Sequence, residues 1–419
     1  MKPIEQDSSA SPPTAPGPCV GGRPPGIDYR QLVVVCVASF IVWSGFGAIL
    51  PYLPIFLQEQ AHASVALIGV IAAAYYVGTF AASSPMGALA DRIGRKPVLV
   101  AGVSLYALAT GLFLTTTEPG WFIVFRFLEG VGAGAVMPAG QAFVADITGE
   151  SSRSRAYGWL TSAQFGGLVA GPALAMPLYA LGGGHGNRGF YYIFVVTSIL
   201  AALAALALFV TLREPHHVFT MRTDGVRRPP YRTLVTRPLG AFLVVAATAN
   251  FAMGAWQVIW SLWLRRLGAS MDFVGLTFIV FSVPMLLSFL GGRLADRGNR
   301  YRIMYIGFGV VAMCWMVYGS THDLAVLLVF CAVEGFAYAL ALPAKQAFLV
   351  MTSPARWLGS VQGLESSAMN VAAFVGTVTA PFLYGRISGY TITLGGLVAF
   401  AGLVMTAPTL SRQWRRLTA

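Results

Sequence analysis

The stretch Gly87–Val100, GALADRIGRKPVLV, crowds its charges into a short hinge between two long apolar runs. Some two hundred residues later Gly291–Met304, GGRLADRGNRYRIM, does the same. Shifted by 205 positions, Gly87 falls on Gly292, Asp91 on Asp296, Arg92 on Arg297 and Arg95 on Arg300. The same ungapped shift lays EGVGAGAVMPAGQAF (129–143) over EGFAYALALPAKQAF (334–348), with seven of fifteen positions identical. It goes on to place Gly158 on Gly363. Asp, Glu and Gln are scarce in this chain, so a register held over such residues marks a duplicated unit rather than shared bias.

What lies around the hinges fixes the solvent of that unit. Of 419 residues, 56% are hydrophobic and 11% charged, against about a quarter charged in a typical soluble domain. The apolar residues come in runs long enough to cross a hydrocarbon core of about 30 Å, which takes roughly 20 residues of helix. Spans are predicted at 31–57, 64–89, 97–115, 121–146, 157–182 and 190–210, and again at 239–264, 274–294, 302–319, 324–349, 358–384 and 391–407. The expected fold is therefore an all-α membrane protein of twelve transmembrane helices in two pseudo-symmetric six-helix bundles. Residues 31–211 and 239–407 form the bundles, 212–238 a linker, and 1–30 and 408–419 the tails.

A formal charge of +12 invites a nucleic-acid partner, but the placement of the charges excludes it. Apart from Arg126 and Lys345 inside spans, and Arg188, Arg265, Arg266 and Arg386 in loops on the far side, Lys and Arg crowd the side that holds both termini. That is the positive-inside bias, which puts the termini in the cytoplasm of a cell (inner) membrane, with anionic lipid headgroups as the partner of the basic excess. The first 27 residues, rich in Pro, Gly and Ser, read as a disordered tail and lack the form of a cleaved signal. Four cysteines without CxxC or His at ligand spacing read as small packing residues, so no metal and no cofactor is expected. No nucleophile–His–acid set points to an enzyme.

Two parallel six-span halves with both termini inside is the architecture of the major facilitator superfamily. The motifs extend that resemblance over residues 30–407. GALADRIGRKP resembles the superfamily's signature between the second and third spans. RFLEGVGAG (126–134) resembles the fourth-span signature, with Arg126 in its Arg position. GPALAM (171–176), preceded by Gly158 and Gly167, is similar to the fifth-span signature of twelve-span drug/proton antiporters, with Ala175-Met176 where that signature ends in Gly-Gly. LPYLP (50–54) resembles the first-span signature of the same group. The resemblance implies alternating access around a midplane site, and for Arg126 a part in proton coupling or substrate binding.

The residues carry their own argument. Gly87, with no side chain, lets a neighbouring helix come close. Asp91 at the membrane surface suits the positive N-terminus of a helix of the other half, near Leu358, and Asp296 the fifth span near Arg155–Tyr157. Arg126 lies about 8 Å below the start of its span, where an ionised Arg costs roughly 2.5–3.5 kcal/mol on insertion scales. Glu129, three residues on, is its expected partner. Under the 205 shift Arg126 meets Cys331 while Glu129 meets Glu334, so the second half keeps the acid and loses the base. A carboxyl about 15 Å deep without a cation resists ionisation, because desolvation penalises the charged form. Glu334 is thus the expected proton carrier, with Glu129 a second one tuned by Arg126. Lys345 is expected to snorkel to the interface and Asp146 to answer Arg92 or Arg95. Gly167, Gly171 and Pro172 read as a bending and close-packing motif.

Few polar residues fall inside spans, and Tyr75, Gln141, Gln164, Asn250, Trp256, Gln346 and Asn370 are the candidate lining of a substrate cavity. Trp260 and Trp263 read as an interfacial belt. An aromatic cavity poor in hydrogen-bonding groups suits hydrophobic, including cationic, small molecules. The chain is thus read as a monomeric, proton-coupled exporter of such compounds, with protons and the lipid bilayer as its other partners. The rivals are a symporter or facilitator importing a nutrient or organic anion, and a non-transporting scaffold or sensor, which has no reason to keep Arg126, Glu129 and Glu334.

Overall fold

The structure, a computed structural model, describes residues 28–148, 153–183, 187–214, 235–288, 290–291, 294, 299–353 and 358–418. The first half comprises α1 Tyr29–Glu59, α2 Val65–Ile93, α3 Arg95–Leu112, α4 Pro119–Asp146, α5 Arg153–Leu181 and α6 Asn187–Thr211. The second comprises α7 Arg237–Arg266, α8 Met271–Ser282 with a 3-10 turn at Val283–Leu287, α9 Arg300–Tyr318, α10 Leu324–Thr352, α11 Leu358–Ile387 and α12 Tyr390–Thr418. Ten of these helices are long and apolar enough to cross a membrane. The other two are α3, headed by Arg95 and Lys96, and α8. Among the described residues there is no strand.

The duplication is visible in the packing. In the first half α1 packs on α5 and α6, α2 on α4, and α3 on α4 and α6. In the second α7 packs on α11 and α12, α8 on α10, and α9 on α10 and α12. The halves meet chiefly through α2 with α11 and α5 with α8, a pairing that is itself symmetric. Small residues set these approaches, since helices in lipid associate by close backbone contact rather than by a hydrophobic drive. A Cβ on Gly171 of α5 would stand 2.5 Å from Ala48 N of α1, and one on Gly134 of α4 2.7 Å from Thr79 O of α2. Gly254 of α7 and Gly376 of α11 meet the facing helix in the same way.

Gly87 does not behave as expected. A Cβ there would meet only Pro138 Cβ at 3.7 Å, an ordinary contact. The tight α2–α4 approach lies deeper, at Gly78, Gly130 and Gly134, and the two helices separate toward the hinge. Two boundaries also move. The last helix continues through 408–419, read above as a tail, to Thr418: Ser411 bonds Pro408 O, Trp414 stacks on Phe348, and Arg415 and Arg416 oppose the helix dipole. The predicted span 274–294 is interrupted by the 3-10 turn at Val283–Leu287, with Pro284 in its first turn, and is helical again at 288, 290–291 and 294.

Among the described residues, contacts between the halves concentrate away from the termini. Glu59 Oε1 lies 2.9 Å from Arg265 Nη2, and Tyr76 donates to Gln257 Oε1. A Cβ on Gly275 would meet Tyr52 Oη at 2.9 Å and Met176 Cγ at 2.8 Å. All of these lie at mid-depth or at the far face. Trp260 and Trp263 belong to the interior of the second bundle and not to a lipid-facing belt. Both are buried, with indole N–H groups donating to Thr277 Oγ1 and Tyr318 O at 3.0 Å each. An indole that finds an internal acceptor has no need of the interface.

Candidate functional site

A cavity of about 160 Å³ opens in the first half at the inter-half surface. Trp43, Phe46, Tyr75 and Tyr76 wall its deep end. Phe46 and Tyr75 ring centroids are 5.6 Å apart, and Tyr75 and Tyr76 meet edge to face at 5.8 Å. From there it runs along Val136, Gly140 and Leu160 toward the face that carries the termini, with Gln164 and Asn370 as polar liners.

Beside the aromatic wall stands the buried ion pair. Arg126 Nη1 lies 2.5 Å from Glu129 Oε2, and Glu129 Oε1 accepts from Thr110 Oγ1 at 2.8 Å. Glu129 is 0% and Arg126 5% exposed, so neither faces lipid. The guanidinium also stacks on Tyr75, 4.7 Å from the ring centroid, a cation–π contact strengthened by exclusion of water. Tyr75 therefore links the charge pair to the cavity. Arg126 further lines a small gap with Phe46 and Gln257 of the other half, and its Nε has no hydrogen-bond partner.

The corresponding acid is set differently. Glu334, 1% exposed, accepts from Tyr318 Oη at 2.5 Å, and its other oxygen is unpaired. Its carboxyl points into the second bundle between α9 and α10, beside Cys314, Cys331 and Trp315. Trp315 stands at the repeat position of Thr110, and Tyr318 at that of Phe113. No cation reaches Glu334 among the described residues.

One pair escapes the sequence reading altogether. Lys345 does not snorkel: its Nζ lies 2.8 Å from Glu365 Oε1 of α11 and 3.6 Å from Met369 Sδ, with side chains 5% and 4% exposed for the two charged partners. A carboxylate seven residues inside a span is as costly as Arg126, and that signal was present at Glu365. What no local pattern supplies is its partner, twenty residues away on another helix.

The other candidates divide. Tyr75, Gln164 and Asn370 line the cavity. Gln141 and Gln346 are exposed away from it, and the Gln141 carbonyl accepts from Tyr157 Oη. Asn250 turns back to Ala246 O on its own helix. Trp256 is core, packed on Trp260, Phe278 and Phe281. Gly167 and Gly171 press on α1 between Phe40 and Ala48, with Pro172 inside the continuous α5.

At the hinge, Asp91 is 68% exposed and pairs with Arg95 of its own loop, not with α11. Arg95 Nε also reaches Asp146 Oδ2 at 3.1 Å, and Arg92 is exposed. Among the described residues, the partner of Asp91 is Arg95 and no contact to the second half is seen there. Glu214 instead caps α3, accepting from Arg95 N at 2.6 Å and Lys96 N at 2.9 Å. Gly94 (φ 105) permits this, as the turn needs a positive φ and a Cβ would collide with that carboxylate. In the second half Asn299, the repeat of Gly94, caps α9 itself. Gly292, Asp296 and Arg297 lie outside the described residues, and Arg300 Nη1 contacts Met351 Sδ at 2.7 Å.

Comparison with known proteins agrees with this architecture. The Major Facilitator Superfamily profile matches residues 35–265 and 243–415. Multidrug resistance protein 2 of Bacillus subtilis is 26% identical over 90% of this chain and 95% of its own length. The class G tetracycline resistance protein of Vibrio anguillarum is 27% identical over 82% and 88%. Among solved structures, a D-xylose-proton symporter superposes with a TM-score of 0.74 at 17% identity, covering 90% of this chain and 97% of that one.

Proposed function

The chain belongs to the Major Facilitator Superfamily of transporters, and from that premise we propose that it exports hydrophobic small molecules in exchange for protons by alternating access. The observation that carries this reading is the position of Tyr75, with its ring stacked on Arg126 and lining the cavity. A proton arriving at Glu129 removes the charge that holds Arg126, the guanidinium shifts, and Tyr75 shifts with it. Substrate and proton thereby act on one wall without touching. Glu334, buried and without a cation, is the second proton carrier.

A cavity walled mainly by aromatic and aliphatic side chains favours hydrophobic cargo over sugars, whose many hydroxyls each require a partner. Relatives named as multidrug and tetracycline resistance proteins support a drug-like cargo. The charge asymmetry supports cytoplasmic termini; in a cell membrane the cavity then opens inward and the far-face contacts form the closed outer gate. The protein works as a monomer, each copy holding a complete path.

Inside-out vesicles test this. With an acidic lumen they should accumulate a hydrophobic fluorescent dye, lose it on collapse of the pH gradient, and fail to load with Glu334→Gln. Accumulation indifferent to the gradient, or uptake by right-side-out vesicles instead, overturns the reading.

A further inference from the structure

Lys345 and Glu365 are a second buried charge site, and the repeat says where it belongs. Shifted back by 205 positions they fall on Gly140 and Leu160, both of which line the cavity from the first half. The symmetry that relates the bundles thus gives Lys345 and Glu365 the equivalent positions in the second half, where both are buried and neither is among the residues that line the cavity. Asn370, five residues after Glu365 on α11, already reaches the cavity.

The pair is not saturated. An ammonium has three N–H donors, and among the described residues Lys345 meets one carboxylate oxygen and one thioether, a weak acceptor. Two buried charges that only neutralise one another are costly: desolvation offsets most of their attraction, and a hydrophobic pair of similar volume serves stability as well. Each half also has its own arrangement, since Gly140 and Leu160 hold the same positions without charge.

We propose that Lys345 is the docking point for an anionic group of the cargo, a carboxylate above all, with Glu365 as the internal anion that occupies it when the site is empty. The cargo class follows: compounds with an aromatic body for the Trp43–Phe46–Tyr75 wall and an acidic group for Lys345. This rests on the exporter reading and refines its substrate.

The probes are rhodamine B, which carries a free carboxylate, and its ethyl ester, which has the same ring system without the anion. Binding of each to the purified full-length protein in nanodiscs is read by fluorescence anisotropy. The acid should bind roughly tenfold more tightly than the ester, the scale of one charge-assisted hydrogen bond. Glu365→Gln, which frees Lys345, should tighten the acid and leave the ester unchanged. The double variant Lys345→Met/Glu365→Gln, which leaves no stranded charge, should bring the two dyes to equal affinity. A pair that serves folding alone changes both dyes alike, so an acid-to-ester ratio unmoved by either variant overturns the proposal. If the ester binds saturably and the acid gains nothing, this proposal falls and the exporter reading stands. If neither dye binds, both fall.

Discussion

Arg95 reaches Asp146 at 3.1 Å across 51 positions of chain, and its repeat counterpart Arg300 reaches Met351, also 51 positions on, at 2.7 Å. The duplication has kept the geometry of this contact and changed its chemistry, an ion pair in the first half and a thioether contact in the second. With Glu214 capping α3 at the same corner, the first half ties α2, α3, α4 and the end of α6 into one unit.

That corner should matter for stability more than an exposed pair does, since both side chains are about four-fifths covered. Asp146→Asn is expected to cost about 1–2 kcal/mol, between a surface ion pair and a buried charge-assisted bond. Thermal unfolding in detergent checks it, and Arg95→Gln added to Asp146→Asn should cost little more than either alone. Additive losses would show that the two residues act separately.

Removing one partner of a buried pair is a harsher change. Arg126→Gln leaves Glu129 fully buried with Thr110 as its remaining partner, and stranded charges of this kind cost about 3–5 kcal/mol. The double variant Arg126→Gln/Glu129→Gln should recover most of the thermal stability while remaining inactive in transport. Recovery of transport in the double variant would remove the pair from the mechanism.

The depth of these charges was legible in the sequence, and their direction was not. A 205-residue shift and the cost of a charge in oil are enough to find two bundles, the Arg126–Glu129 pair and the lone Glu334. Which way a helix is rotated depends on neighbours that no local pattern encodes. Trp260 and Trp263 sit at the depth of an interfacial belt, yet face Thr277 and Tyr318 inside the second bundle. Lys345 lies one stem's length from the surface and turns inward, because Glu365 on the next helix waits there. Gln141 and Gln346 are repeat partners and share one azimuth, so both miss the cavity together.

Close packing gives a prediction independent of charge. A Cβ on Gly171 would lie 2.5 Å from backbone atoms of Ser44 and Ala48, and two helix backbones cannot give way as a flexible side chain does. Gly171→Ala should destabilise by about 1–3 kcal/mol, the usual cost of overpacking. Gly158→Ala, on the same helix with nothing within 4 Å, should change the melting temperature little. Equal behaviour of the two would mean α1 and α5 are farther apart than described.

The far-face gate makes the last prediction. Glu59 and Arg265, on α1 and α7, hold the halves together at 2.9 Å, and both are about one-third exposed. Solvent and salt weaken such a pair to about 0–1 kcal/mol, too little to lock the transporter and enough to bias it several-fold. Glu59→Arg, by setting two cations face to face, should open the far face more often. A single cysteine at Gln257, just beneath that closure, should then react faster with a membrane-impermeant maleimide added from the far side. The swap Glu59→Arg/Arg265→Glu restores the attraction and should return labelling to its starting rate, and the difference between the variants should shrink at high salt. Labelling that ignores both the reversal and the swap would leave closure to close packing between the halves, of Gly69 of α2 on Pro381 of α11 and of Gly275 on Tyr52 and Met176.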